Sequence, residues 1–282
     1  MGKMIIGIHG LSNKPEAKIL SNDWKNALLE GLEKNAQIKK NDIPFELAYW
    51  ANIMYGQPLP ESDYREARPG SLKRYEEGWW DYIQEKIAEL GGDALDTLKE
   101  MYGIDEAAEK ALKLALKDLH EYYTNTEKKN QLRNLLKETL RTYQRDQIML
   151  IAHSMGCIVA YDVLCELSQE NPSFAIEHWI TLGCPLGLPH VKRKIKEEHH
   201  AACTPNNIRQ WTNLADRRDF VALDTHLRDD YQANSSGVRV SDDLVANDWN
   251  IGYFKETGVY PYHAIYGYLR TPELTDRVKS FV

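Results

Sequence analysis

Residues 148–164 read IMLIAHSMGCIVAYDVL. Ile148 to Ala152 make the short continuous apolar run of a strand covered on both faces, whereas Ile158, Tyr161, Val163, Leu164 and Leu167 recur at helical spacing. The chain therefore runs strand, abrupt turn, helix, with Ser154 at the turn. Ala152 and Gly156, two residues to either side, are both small, as they must be if the strand and the departing helix nearly touch there. AHSMG, a variant of G-x-S-x-G with alanine first, predicts a strained elbow that pushes the serine oxygen out above the end of a sheet. On its own the motif also fits a buried strand–turn–helix with an incidental serine, so its surroundings have to decide.

The chain has 282 residues, 43% of them hydrophobic, enough to bury the core of one large α/β domain or of a domain with an insertion. It opens MGKMIIGIHG, straight into a strand-like run without the pattern of a secretory signal, and no stretch is long and apolar enough to span a bilayer. A cytoplasmic location without a transmembrane segment is the expectation. Cys157, Cys165, Cys184 and Cys203 sit mostly in apolar segments without C-x-x-C spacing, so they read as small core residues, and neither a metal, a disulfide nor another cofactor is expected. Lys and Arg number 35 against 42 Asp and Glu, a net charge of −7 that argues against a nucleic-acid partner. The basic run VKRKIKEEHH, from Val191, carries its own glutamates and reads as a solvated helix face.

Strand and helix signals alternate, which predicts a doubly wound, mainly parallel six-stranded sheet with crossover helices. The strands are expected at 4–9, 45–50, 147–152, 178–183, 207–214 and 238–246. Ser21 or Asn22 is placed to cap a helix with the stripe Trp24, Ala27, Leu28 and Leu32; Leu132, Leu135, Leu136, Leu140 and Tyr143 form a second stripe before the serine strand; a last helix follows Pro272. Between the second and third strands lie a proline-rich loop and helical patterns from 72 to about 125, broken at Gly91-Gly92 and Gly103, with Asp93 and Asp105 as N-caps. This divides the chain into a core, 1–55 and 126–282, and a helical cap or lid insertion, 56–125.

In such a sheet the ends of neighbouring strands converge on one crevice at the carboxyl edge. The first strand ends in HGLSNKP, so the N–H of Leu11 and the N–H of Met155 would face one point, where they could hold the oxyanion of a tetrahedral acyl intermediate. A serine also needs a base, normally a histidine oriented by a carboxylate. Chain order in this architecture is serine, acid, histidine. The strand NIRQWTNL leads into ADRRDFVAL, offering Asp216 and Asp219, and GVYPYHAIYGYL offers His263. His190 and His226 follow predicted strands and compete with it. His120, His178, His199 and His200 fail on position, and His153 is expected to point elsewhere on its strand.

With HG at 9–10, AHSMG at 152–156, WTNLADRRDFV at 211–221 and YPYHAIYGYL at 260–269, the sequence resembles an α/β-hydrolase of the compact lipase and esterase type. The resemblance covers most of the chain apart from 56 to about 125. It implies a minimal form of that fold and acyl-transfer hydrolysis through a covalent serine intermediate. It makes Ser154 the nucleophile, His263 the general base and then acid, Asp219 the orienting acid, and Leu11 with Met155 the oxyanion donors. Asp219 is preferred over Asp216 because the apolar Phe220 and Val221 can anchor its loop, leaving Asp216 to a turn or to an arginine. The expectation is a hydrolase of carboxylic esters with a small-molecule or lipid ester as substrate. An acyltransferase or amidase using the same residues, and a catalytically silent protein-binding module, are the alternatives; the sequence leaves the oligomeric state open.

Overall fold

The computed structural model describes residues 2–60, 118–247 and 261–282. Its centre is a six-stranded sheet, all parallel, in the order β2-β1-β3-β4-β5-β6, formed by β1 (Lys3–Ile8), β2 (Phe45–Ala48), β3 (Gln147–His153), β4 (His178–Leu182), β5 (Trp211–Ala215) and β6 (Ser241–Leu244). The longer helices are α1 (Ala17–Ala36), α2 (Thr126–Thr142), α3 (Met155–Glu170), α4 (Pro189–His199) and α5 (Pro272–Phe281). None of the described helices is long and apolar enough to cross a membrane.

The continuous apolar run that opens the elbow sequence follows from two-sided burial. Ile148, Leu150 and Ala152 of β3 face one core with Leu132, Leu136 and Leu140 of α2 and the inner side of α3, while Met149 and Ile151 face the other core with Trp24 and Leu28 of α1 and Leu274 and Val278 of α5. Each of these buried Leu, Ile, Val and Met side chains contributes about 1.5–3 kcal/mol relative to exposure. Trp179 and Trp211 stack at 4.4 Å across β4 and β5 in the first of these cores.

Several boundaries differ from those expected. α1 begins one turn early, at Ala17 after Glu16, because Leu20 extends the buried stripe; Ser21 and Asn22 lie inside the helix and cap nothing. β5 starts at Trp211, not 207, since Asn207 and Ile208 form a turn touching Ile176 through an isolated bridge. β6 is confined to Ser241–Leu244, an edge strand paired on one side only. Of the insertion expected over 56–125, residues 61–117, with Asp93 and Asp105, lie outside the described residues. Residues 118–124 are helical, and the side chain of Asn125 then caps α2 by accepting from Lys128 N–H.

The helix 118–124 is tied to the sheet helices by a buried polar network. Tyr122 donates to Asp162 of α3 and accepts from Arg133 Nε of α2, and Arg133 also pairs with Asp162, Glu166 and Glu198. His199 Nε2 lies 2.7 Å from Asp162 Oδ1. The run from Val191 is therefore not simply a solvated face: Val191 and Ile195 are buried, and Glu198 and His199 turn inward to Arg133 and Asp162. Asp162, Glu198 and His199 come close enough to share an ion, but the Arg133 guanidinium already supplies the positive charge between the two carboxylates.

Candidate active site

The order β2-β1-β3 places the reversal of winding between β1 and β3, whose carboxyl ends are paired as far as Ile8 and Ala152. Connections leave the two strands in opposite directions there, which opens a crevice. Ser154 stands at this point with φ 54° and ψ −130° between β3 and α3. A non-glycine residue in that region costs on the order of 1–3 kcal/mol. The packing over-determines it: a Cβ on Gly156 would lie 2.7 Å from the carbonyl oxygens of Ile8 and His9. The small residue is thus required by the neighbouring strand β1, and not only by the serine's own strand.

His263 reaches the serine from the short helical turn Pro261–His263. Its Nε2 is 3.0 Å from Ser154 Oγ, and its Nδ1 is 2.9 and 2.8 Å from the two oxygens of Asp219. A carboxylate accepts, so Nδ1 carries the proton and Nε2 turns a lone pair to the hydroxyl. Asp219 is fully buried, and one of its oxygens accepts the N–H of Val221, capping the turn Phe220–Ala222. That cap turns the carboxylate. Gly183, at the end of β4 with φ +52°, lies beneath the pair, and a Cβ there would come within 2.7 Å of Asp219 and 3.1 Å of His263.

Asp216 is equally buried but faces away from His263. Arg218 holds both its oxygens, at 2.9 and 2.7 Å, and its Oδ2 accepts Asn247 N–H at 2.6 Å. Burial raises the Asp216 carboxyl, opposed by Arg218. Tyr268 links the two aspartates: its hydroxyl donates to Asp219 Oδ2 and accepts the N–H of Asp216.

The N–H of Met155 is the first of α3 and so has no acceptor within the helix. Leu11 lies in the loop after β1, and a Cβ on the preceding Gly10 would lie 2.5 Å from Ser154 Cβ, so this loop passes directly against the serine. The elbow is enclosed rather than exposed: Ser154 keeps 1% of its surface, whereas the His263 side chain keeps 27%. His190 and His226 are both exposed; His190 contacts Arg193, and His226 lines a shallow cavity with Asp242 and Arg277 at the β6 edge. Neither approaches Ser154 through any contact among the described residues.

Sequence reasoning missed the residues that hold this arrangement. His153, expected to point away, packs its ring 4.8 Å from that of His263, with its Nε2 3.0 Å from the His263 carbonyl oxygen. Burial, and then the nearby His263, lower the His153 imidazole well below its ordinary range, which keeps it neutral. Asn247 Nδ2 donates to the carbonyls of Tyr262 and Ala264, so three successive carbonyls around His263 are held. No periodicity marks such residues; Tyr268 and Gly183 could have been noticed only as a tyrosine and a glycine beside motif positions.

A parallel sheet with helices on both faces, and a strained serine between one of its inner strands and the following helix, is consistent with the α/β-hydrolase fold. Residues 112–195, which carry Asp118, α2, β3, Ser154, α3 and β4, match the family model for lecithin:cholesterol acyltransferase. No curated protein matches the sequence.

Proposed function

We propose that the protein is a serine hydrolase that cleaves carboxylic esters, with lipid esters as the substrate class. The observation that carries this reading is the unbroken chain of hydrogen bonds from Ser154 through His263 to Asp219, at 3.0 and 2.8 Å, assembled from the elbow after β3, the turn after β5 and the turn Pro261–His263. Ser154 Oγ gives its proton to His263 Nε2 as it attacks the ester carbon. Met155 and Leu11 N–H groups take the oxyanion, and Asp219 holds the imidazolium. Collapse expels the alcohol, protonated by His263, and water activated by the same imidazole releases the acid. The stretch 56–125 acts in this reading as a helical cap, and a cytoplasmic location keeps the four thiols reduced.

The test is covalent labelling with a fluorophosphonate and turnover of an ester panel of graded chain length. One label on Ser154, lost in Ser154→Ala together with hydrolysis while the variant stays folded, is expected. Labelling elsewhere, or none on folded wild-type protein, overturns the reading in favour of a silent binding module. The acyltransferase name of the matching family favours one second reading, transfer of the acyl group from Ser154 to an alcohol instead of water. Added acceptor alcohol that diverts product from free acid to new ester distinguishes it.

A further inference from the structure

Two peptide planes flank Leu11, and side chains grip both. His9 Nδ1 is 2.9 Å from the carbonyl oxygen of Gly10, while the N–H of Trp50 donates to His9 Nε2 at 3.0 Å; an N–H can only donate, so the His9 proton is on Nδ1. Burial, reinforced by the Lys14 ammonium, lowers this imidazole to about 3 and keeps it neutral. In a trans peptide the carbonyl and the following N–H point in opposite directions. Holding Gly10 O therefore aims the N–H of Leu11 the other way.

The next plane is gripped at both ends. Lys14 Nζ donates to the carbonyl of Leu11, and the N–H of Ser12 donates to Asp118 Oδ2 at 3.1 Å, across 106 residues of chain. The same oxygen accepts the Tyr55 hydroxyl, and Asp118 is buried. Ser12 has φ 70°, a conformation that a non-glycine residue leaves unless something holds it. Asp118 and Tyr122 lie four residues apart in the helix 118–124 and share a face. One grips the loop after β1, and the other grips Asp162 of α3.

We propose that Asp118 is a positioning residue for the oxyanion donor: by fixing the Leu11–Ser12 peptide it makes acyl transfer at Ser154 depend on the docking of the helix 118–124. This rests on the serine-hydrolase reading. The tests use the full chain, a short p-nitrophenyl ester, and the rate of fluorophosphonate labelling. Asp118→Ala is expected to lower kcat about 30-fold and to slow labelling by a similar factor, with KM within about twofold, since a misdirected donor costs somewhat less than a deleted one. Asp118→Asn still offers an oxygen to Ser12 N–H and to Tyr55, and should recover kcat to within about threefold of wild type.

Wild-type kcat in Asp118→Ala, an Asn variant as impaired as the Ala variant, or a loss carried by KM overturns the proposal. Should Asp118→Ala not fold, Asp118→Glu decides instead: it keeps the charge and shifts the acceptor by one methylene, so lowered kcat at unchanged KM supports the proposal and wild-type kcat overturns it. Failure of wild-type protein to label at Ser154 would overturn the underlying reading instead, so the two failures are distinguishable.

Discussion

His153 Nε2 lies 3.0 Å from the carbonyl oxygen of His263, so the residue before the serine holds the backbone of the histidine that faces it. A carbonyl only accepts, which places the His153 proton on Nε2. The contact spans the elbow and the Pro261–His263 turn, beside the bond between Ser154 Oγ and His263 Nε2. His153→Ala should therefore lower kcat by about 10- to 100-fold with a small change in KM, because misplacement of a catalytic group by an ångström costs on that order. His153→Gln, whose amide can still donate, should recover part of it. Steady-state kinetics beside a urea unfolding curve checks this; parallel losses in both variants with lowered stability would reduce His153 to a packing residue.

Asp219 and Asp216 are both buried, and their variants should fail differently. Asp219→Asn is expected to lower turnover by about 10⁴ with the fold intact, since His263 loses its tautomer and its counter-charge. Asp216→Asn leaves the Arg218 guanidinium without its buried carboxylate and weakens the bond to Asn247 N–H. Its effect should therefore be on stability, about 2–3 kcal/mol in chemical unfolding, with a smaller effect on kcat in the folded fraction. The reverse pattern would reassign the acid.

Ser154 supplies a test that separates function from fold. With φ at 54°, glycine fits this turn better than any side chain. Ser154→Gly should raise stability by about 1 kcal/mol while removing activity, whereas Ser154→Ala, which keeps a Cβ in the same conformation, should remove activity with little gain. Thermal unfolding of the three proteins reads the difference; equal midpoints would mean that the elbow stores no strain.

The sheet was legible because its inner strands are buried on both faces, which leaves apolar runs such as Ile148–Ala152 bounded by helical stripes, although buried Thr212 and Asn213 interrupt the run in β5. The elbow was legible because steric demand restricts Ala152 and Gly156. Asp219 was separable from Asp216 in the sequence only by its apolar neighbours, whereas in the structure the difference is a cap on Val221 and the capture of Asp216 by Arg218. His153, Asn247 and Asp118 act on distant backbone carbonyls and amides, at separations of 110, 15 and 106 residues. Backbone groups carry no residue identity, so such partners leave no pattern to read. Leu119, in the helix 118–124, packs at the edge of the core shared by α2 and α3.

Lys14 links the loop after β1 to pH. Burial lowers its ammonium to about 8, although Asp118 pulls in the other direction. The other titratable groups around it do not change charge near that pH: His9 and His153 are held neutral by burial, and burial with the Asp118 contact pushes the Tyr55 phenol up. As pH rises through about 8, Nζ becomes a weaker donor to the Leu11 carbonyl and stops balancing Asp118, so kcat should fall by about two- to fivefold. Lys14→Met should show a lower plateau without this alkaline limb. Stability moves the opposite way. Between about 8 and the ordinary 10.5 the unfolded chain keeps a proton that the folded chain has released, so this group's contribution to folding stability rises with pH. A fall in kcat across that window, at an unfolding midpoint that this group does not lower, would assign the limb to the loop; an alkaline limb retained in Lys14→Met would assign it elsewhere.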